Sequence, residues 1–348
     1  MPSSISSSND RAPSAPYLKV WGLALLLFLL VLAGLEVFWR SSGQYASVTD
    51  DMFLWSYQRS RVYSQAGVNR LVILGSSRSM LGIVPEVLKS EFPSYEVVHL
   101  AVDGHNPYAS FKDLAEDERF DGVLLVDMTE KSFFPDNQDA QQAWVDYYHH
   151  EWSSWGRVDK LLNMHIRVFL QSRLVMLNSA LNPRMLIANN FHLQPAYYYF
   201  RPDRYRPAFY NDRLTPQELD LARARRLEIV SRTERSTPEM KLEFAQILKD
   251  QVRPLVAELQ SRGGEVVFLR MPTCGQHWEL DQANYPLPDY WEKIQPITGA
   301  STIHFSETDG LADFECADYS HLDATDAPEF TVRLGHVLKN RLFDDTAN

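Results

Sequence analysis

The chain has 348 residues, 45% of them hydrophobic and 12% aromatic, enough to bury one large domain or two. A formal net charge of -11 offers no general attraction to nucleic acid or anionic lipid, so nucleic acid is set aside as a partner. The two cysteines, Cys274 and Cys316, form neither a disulfide scaffold nor a zinc-type spacing; one bridge or two separate thiols both fit.

Residues 1–18 are rich in Ser and Pro and read as a disordered N-terminus. The next segment, 19–40, contains the run VWGLALLLFLLVLAGLEVFW at 20–39, broken only by Glu36. At about 1.5 Å per residue this run spans about 30 Å, the thickness of a bilayer core. It outruns a signal-peptide h-region and no A-x-A-type site follows, which predicts an uncleaved transmembrane signal anchor rather than a buried core helix. Trp21 and Trp39 sit where interface anchors would. Arg11 and Lys19 before the run point to a cytoplasmic N-terminus and a periplasmic or extracellular remainder. Residues 41–67 read as a stalk or linker, or a first helix leading away from the membrane.

A core domain is expected over 68–345. Leu71-Val72-Ile73-Leu74 reads as a buried strand that runs into Gly75-Ser76-Ser77. Gly75 permits a turn that a β-carbon would obstruct, and Pro85 marks a helix over 84–91. A second strand, 95–102, ends in the loop DGHNP at 103–107. A helix over 107–117 leads to the third strand, GVLLVDM at 122–128. Apolar strands alternating with helices predict a parallel sheet covered on both faces, an α/β fold.

The alternation stops over about 129–236, a stretch rich in Trp, Tyr, Asn, Arg and Pro that reads as a mostly helical insertion or cap. It resumes with a long amphipathic helix from Pro238 to about Arg262, stopped by Gly263-Gly264. A fourth strand (265–272), a helix near 290–297, a fifth strand (301–305) and a last helix (327–342) complete about five parallel strands.

A serine hydroxyl is a weak nucleophile. It needs a histidine to take its proton, a carboxylate to orient that histidine, and donors aimed at the developing oxyanion. In an open α/β sheet such groups gather at the carboxyl ends of the strands. The Gly-Ser-Ser turn, the DGHNP loop, Asp127-Met128-Thr129 and the segment DYSH at 318–321 all belong to that rim. Ser76 and Ser79 compete with Ser77 as nucleophile. A second Asp-x-x-His, Asp146 to His149, lies inside the insertion, whereas only Asp318-x-x-His321 follows the fifth strand and precedes the closing helix.

These residues resemble the SGNH (GDSL-type) hydrolases over roughly 68–128 and 238–345. Gly75-Ser76-Ser77 looks like the first block with Ser76 in the aspartate position, Gly104 matches the second-block glycine, and Asp318-x-x-His321 matches the fifth block. The resemblance implies an SGNH-like, flavodoxin-like three-layer fold. It implies Ser77 as nucleophile, His321 as general base and Asp318 as its orienter, with an oxyanion hole from the N–H groups of Ser77 and Gly104. A Gly-Ser-Ser variant on a single-pass anchor is similar to the membrane-anchored acyltransfer branch, such as the alginate-type O-acetylation and teichoic-acid D-alanyl transfer proteins. One departure stands out: the family's third-block asparagine is absent from VDMTE, where Asp127 cannot donate while ionised; the candidate stand-ins are Thr129, if its hydroxyl points inward, and Asn106.

Other features are weighed beside these. His149-His150-Glu151 lacks further ligands at metal spacing, so no metal is expected. The stretch AYYYFRPDRYRPAFY at 196–210, with Arg201, Arg204, Tyr205 and Arg206, reads as a glycan-binding wall, as the packed cover of a cap, or as a contact with the membrane surface. His277 and Trp278, in the loop after the fourth strand, are candidate pocket residues, and His277 is the alternative base. The resulting expectation is a membrane-anchored extracytoplasmic serine acyltransferase or esterase without cofactor. Its partners would be a glycan or other acyl acceptor, the membrane through residues 20–39, and a membrane protein supplying acyl groups. The alternatives are a polysaccharide deacetylase or lipid esterase of the same chemistry, and a non-catalytic binding or assembly subunit on a decayed hydrolase core.

Overall fold

The computed structural model describes residues 17–64, 67–154, 156–188, 195–232 and 235–343; the N-terminal stretch expected to be disordered lies almost wholly outside them. Helix α1 (Tyr17–Ser41) buries none of its residues and is long and apolar enough to cross a membrane. Its one acidic residue has a structural use. Glu36 accepts hydrogen bonds from the N–H groups of Val175 (3.0 Å) and Met176 (3.1 Å) and pairs with Arg40. The end of the apolar helix is thereby clamped to the insertion.

Helix α2 (Met52–Arg61) corrects the stalk expectation. It starts on Asp51, whose side chain accepts from Leu54 N–H, and buries Leu54, Trp55 and Arg59. Trp55 Nε1 donates to the Leu100 carbonyl at 2.9 Å, and Arg59 pairs with Asp113 at 2.9 Å. The stretch therefore packs on the domain instead of leading away from it. Trp55→Ala is expected to lower the unfolding free energy by about 3–5 kcal/mol, since it opens a core cavity and orphans a carbonyl. Urea unfolding of the full chain in detergent checks this; a loss below about 1 kcal/mol would restore the detachable stalk.

Five strands form one parallel sheet: β1 (Asn69–Leu74), β2 (Tyr95–His99), β3 (Val123–Asp127), β4 (Glu265–Arg270) and β5 (Ser301–His304), in the order β2-β1-β3-β4-β5. The α/β fold with five parallel strands is the one expected from the sequence, and the strand order is the flavodoxin-like one that the resemblance implies. The strands read as unbroken apolar runs because both faces are covered. Val72, Leu74, Leu124, Val126, Val266 and Phe268 share one core cluster, while Leu71, Ile73, Leu125, Val267, Leu269 and Ile303 share another. The first side is covered by helices that include α3 (Tyr108–Glu116), through Phe111 and Leu114, and by Trp55 of α2; the second by helices that include α4 (Ala327–Phe343), through Phe330, Leu334 and Leu338. The helix expected over 238–262 runs as Pro238–Ile247, a π turn Leu248–Val252 and Arg253–Ser261. Pro254 accounts for the interruption, having no N–H for the carbonyl four residues back.

The chain diverges from β1 to β2 on one side and β3 on the other, and the carboxyl ends of β1 and β3 flank the resulting crevice. Cys274 and Cys316 form a disulfide with Cα atoms 5.6 Å apart, which resolves the choice the sequence left open. It ties the loop after β4 to the segment that carries Asp318 and His321.

Candidate active site

The turn after β1 is built around Gly75. A β-carbon there would collide with Ser79 Oγ and come within 3.0 Å of Asp127 Cβ, so close packing, not a left-handed backbone, requires the glycine. Ser77 opens the short helix Ser77–Gly82, at the mouth of the crevice. Ser79 is buried and donates to Asp127 Oδ2 at 2.7 Å, which removes it as a competing nucleophile.

Ser77 Oγ lies 2.8 Å from His321 Nε2, and His321 Nδ1 lies 2.8 Å from Asp318 Oδ2. With the imidazole proton on Nδ1, that nitrogen donates to Asp318 and leaves Nε2 free to accept from Ser77. The other carboxylate oxygen of Asp318 accepts the N–H groups of Ser320 (3.0 Å) and His321 (2.9 Å). Asp318 is thus held by its own loop before it meets the imidazole. That loop is anchored further by Cys274 N–H donating to the Tyr319 carbonyl (3.0 Å), by Ala317 N–H donating to the His321 carbonyl (3.0 Å), and by the disulfide. Tyr319 takes a φ of 69°, a left-handed conformation that these bonds maintain at the turn presenting the histidine.

Electrostatics fit the geometry. Burial, as the main cause, pushes the His321 imidazole below its usual value, against the opposing pull of Asp318. Asp318 is held well below the carboxylate range despite its burial, by the hydrogen bond and charge of His321 and by Arg226. At neutral pH the pair therefore stands as neutral imidazole and carboxylate, the forms a general base needs. Because the protonated imidazole cannot accept from Ser77, activity is expected to fall with acidification along a limb centred below 6.5, the ordinary histidine value. A pH–rate profile of kcat/KM checks this; a limb centred above 6.5 would contradict it.

Two cavities meet at Ser77. The larger, of about 590 Å³, is lined by Ser77, Asp318 and His321 together with Tyr197, Tyr198, Arg206, Ala208 and Tyr210, and roofed by Leu221, Arg226 and Ile229. The second, of about 300 Å³, also reaches Ser77 and is lined by residues that include Arg78, Gly104, Asn106, Asp127, Lys131 and again Arg226. Gly104 takes a φ of 69°, the left-handed region that favours glycine, and lines both cavities beside Ser77.

The insertion supplies contacts that the sequence reading missed. The helix Pro216–Ser231, started by a Thr215–Glu218 capping box, buries none of its residues yet carries Arg226 to the site. Arg226 Nη2 is 3.4 Å from both Asp318 Oδ2 and His321 Nδ1. The Tyr210 ring stacks on His321 at an interplanar angle of 6°. The clue to Arg226 was the dense run Arg223-Ala224-Arg225-Arg226; nothing in the sequence alone says that this helix folds back over the rim.

Four expected pocket residues are corrected. The segment 197–209 is a hairpin, with Tyr198 bridged to Ala208 and Phe209 N–H donating to the Tyr197 carbonyl. Side chains alternate along its return strand, so Arg206, Ala208 and Tyr210 face the cavity while Tyr205 packs behind it on Val84 and Ala327. Arg204 is fully buried and pairs with Asp50 at 2.6 Å. Trp278 packs on Phe305, with ring centroids 4.9 Å apart. His277 is buried 3.6 Å from Asp281, and desolvation pushes its imidazole down to about 3; it lines neither cavity at Ser77. Asn106 does reach the second cavity, but its amide donates to the Ser132 carbonyl at 2.6 Å and its oxygen accepts Tyr108 N–H at 3.0 Å, so it serves the loop. Asp127, at the end of β3, offers a carboxylate that accepts from Ser79. The second Asp-x-x-His is separate from the site: His149 pairs with Asp113, Asp146 with Gln142.

The sequence matches no protein-family model and no curated protein. Among solved structures, the crystal structure of TesA is similar over 78% of this chain and 98% of that chain, with 10% sequence identity and a TM-score of 0.36.

Proposed function

We propose that this protein is an SGNH-like serine acyl-transfer enzyme, an acyltransferase or esterase held at a membrane by α1. The observation that carries the reading is the relay Ser77–His321–Asp318, two successive hydrogen bonds of 2.8 Å at the carboxyl end of the sheet. In this reading Ser77 Oγ attacks the acyl carbonyl while its proton passes to His321 Nε2. The tetrahedral intermediate collapses, the ester C–O bond breaks, and the leaving alkoxide takes that proton from His321. An acceptor hydroxyl then gives its proton to His321 and attacks the acyl-Ser77 carbonyl, and collapse returns the proton to Ser77. Main-chain N–H groups of Ser77 and Gly104 would face the developing oxyanion.

The acceptor is proposed to be a cell-surface or secreted glycan. Supporting this, the larger cavity presents Tyr197, Tyr198 and Tyr210 beside Arg206 and Arg226, rings for sugar faces and cations for their polar groups. The disulfide between Cys274 and Cys316 supports an extracytoplasmic domain, since such bonds persist in oxidising compartments.

The test is covalent labelling of the full chain in detergent with a fluorophosphonate, with the adduct mapped by peptide mass spectrometry. A single adduct on Ser77 that disappears in His321→Ala is expected. A folded protein that takes up no label would favour the binding-subunit alternative. Incubation with an acetyl ester and an oligosaccharide then separates transfer to sugar from transfer to water.

A further inference from the structure

Arg78 follows the proposed nucleophile directly and has no use in the relay. Among the described residues its guanidinium makes no hydrogen bond, and its Nε is buried without a partner. The nearby acidic groups make their hydrogen bonds elsewhere. Asp281 pairs with Arg270 at 2.6 Å and also accepts Thr273, Glu130 lies 3.4 Å from Arg270, and Asp127 accepts from Ser79. Burial, with the charge of Arg270, pushes Arg78 down to about 10 against the opposing pull of Asp281 and Asp127.

Arg78 lines the smaller of the two cavities that meet at Ser77 and not the tyrosine-lined one. Lys131 lines it too, its ammonium making no ion pair or hydrogen bond among the described residues, and Arg226 also lines it. Asp127 is the one carboxylate among its described lining residues; His105, Thr129, Ser132 and Asn106 complete the polar wall. An Arg78 guanidinium and a Lys131 ammonium without hydrogen-bond partners among the described residues, beside an Arg226 that Asp318 holds at 3.4 Å and with Asp127 as the one carboxylate in the described wall, make an environment that an anion would complete.

We propose that the cavity lined by Arg78, Lys131 and Arg226 is a subsite for an anionic group, a carboxylate or phosphate, on the molecule whose ester reacts at Ser77. The inference rests on the acyl-transfer reading for its place in a reaction and narrows the substrate class to acidic sugars or sugar phosphates. A planar guanidinium matches either group through two parallel hydrogen bonds, with Lys131 adding a mobile charge.

Two measurements on the full chain in detergent keep the subsite separate from the chemistry. The first is calorimetric titration of the Ser77→Ala protein with glucuronate and with inorganic phosphate, which needs no turnover. Saturable binding of one of them, weakened about tenfold or more by Arg78→Gln, is expected, and which one binds identifies the group. Failure of both to bind overturns the subsite and leaves the acyl-transfer reading intact. The second compares hydrolysis of acetylated glucuronic acid with acetylated glucose. The wild-type ratio of kcat/KM is expected to favour the acid, and Arg78→Gln and Lys131→Gln to reduce that ratio through KM. An equal loss of kcat on both esters in Arg78→Gln would overturn the proposal and make Arg78 an oxyanion donor in place of the absent asparagine. If neither ester turns over but glucuronate or phosphate binds through Arg78, the subsite stands and the acyl-transfer reading falls.

Discussion

Ser77→Ala is expected to lower hydrolysis of an activated acetyl ester by about 10⁴- to 10⁶-fold, the loss seen when a nucleophile is removed from such a relay. The geometry makes Ser77 the only serine of its turn with that consequence. Its Oγ is 2.8 Å from His321 Nε2, whereas Ser79 is buried and donates to Asp127. Ser76→Ala, which removes a hydroxyl outside the His321 hydrogen bond, should cost far less. Initial rates with p-nitrophenyl acetate for the two variants decide the matter. Comparable losses would mean that the reactive oxygen is elsewhere.

Asp318→Asn is expected to cost about 10³- to 10⁴-fold in kcat. The reason is the tautomer more than the loop. Asparagine retains an oxygen to accept the N–H groups of Ser320 and His321, at 3.0 and 2.9 Å in the native protein. Its amide, in place of Oδ2, would donate to His321 Nδ1 and drive the imidazole proton to Nε2, where it blocks acceptance from Ser77. Removing the carboxylate also strips Arg226 of its partner at 3.4 Å and leaves a cation facing the imidazole. A thermal melt run beside the kinetics separates lost chemistry from lost fold. A variant that melts normally and retains wild-type turnover would remove Asp318 from the relay.

The same loop shows how a weak sequence pattern becomes a specific one. Asp-x-x-His occurs twice in this chain, and spacing alone does not choose between Asp146/His149 and Asp318/His321. The choice came from order along the chain: the second follows the last strand, where a parallel sheet collects its loops on one rim. In the folded protein His149 faces Asp113 and His321 faces Ser77. The hairpin at 197–209 shows the opposite limit. Its composition announced aromatic and arginine contacts, but Tyr205 and Arg204 were the wrong members. Which alternate side chains meet the cavity depends on how the hairpin registers against the loop at Met80, whose carbonyl accepts Arg206 N–H at 2.8 Å, and a shift of one residue exchanges the faces.

What the sequence determined by itself was local. Runs of apolar residues four to six long, glycine and proline at the turns, and the order of strand-end motifs specify the parallel sheet and the placing of Ser77, Gly104, Asp318 and His321 on its rim. These follow from backbone propensity and periodicity, which act within a few residues. What only the tertiary structure decided were the long-range encounters. They are the packing of Trp55 into the core, the fold-back of the Arg226 helix onto Asp318, the burial of His277 against Asp281, the joining of Cys274 to Cys316, and an Arg78 whose buried Nε is left without a hydrogen-bond partner. Each depends on which surfaces meet across tens or hundreds of residues, and on which charges have already been neutralised when they do. Residue type alone does not encode either condition; the packed chain does.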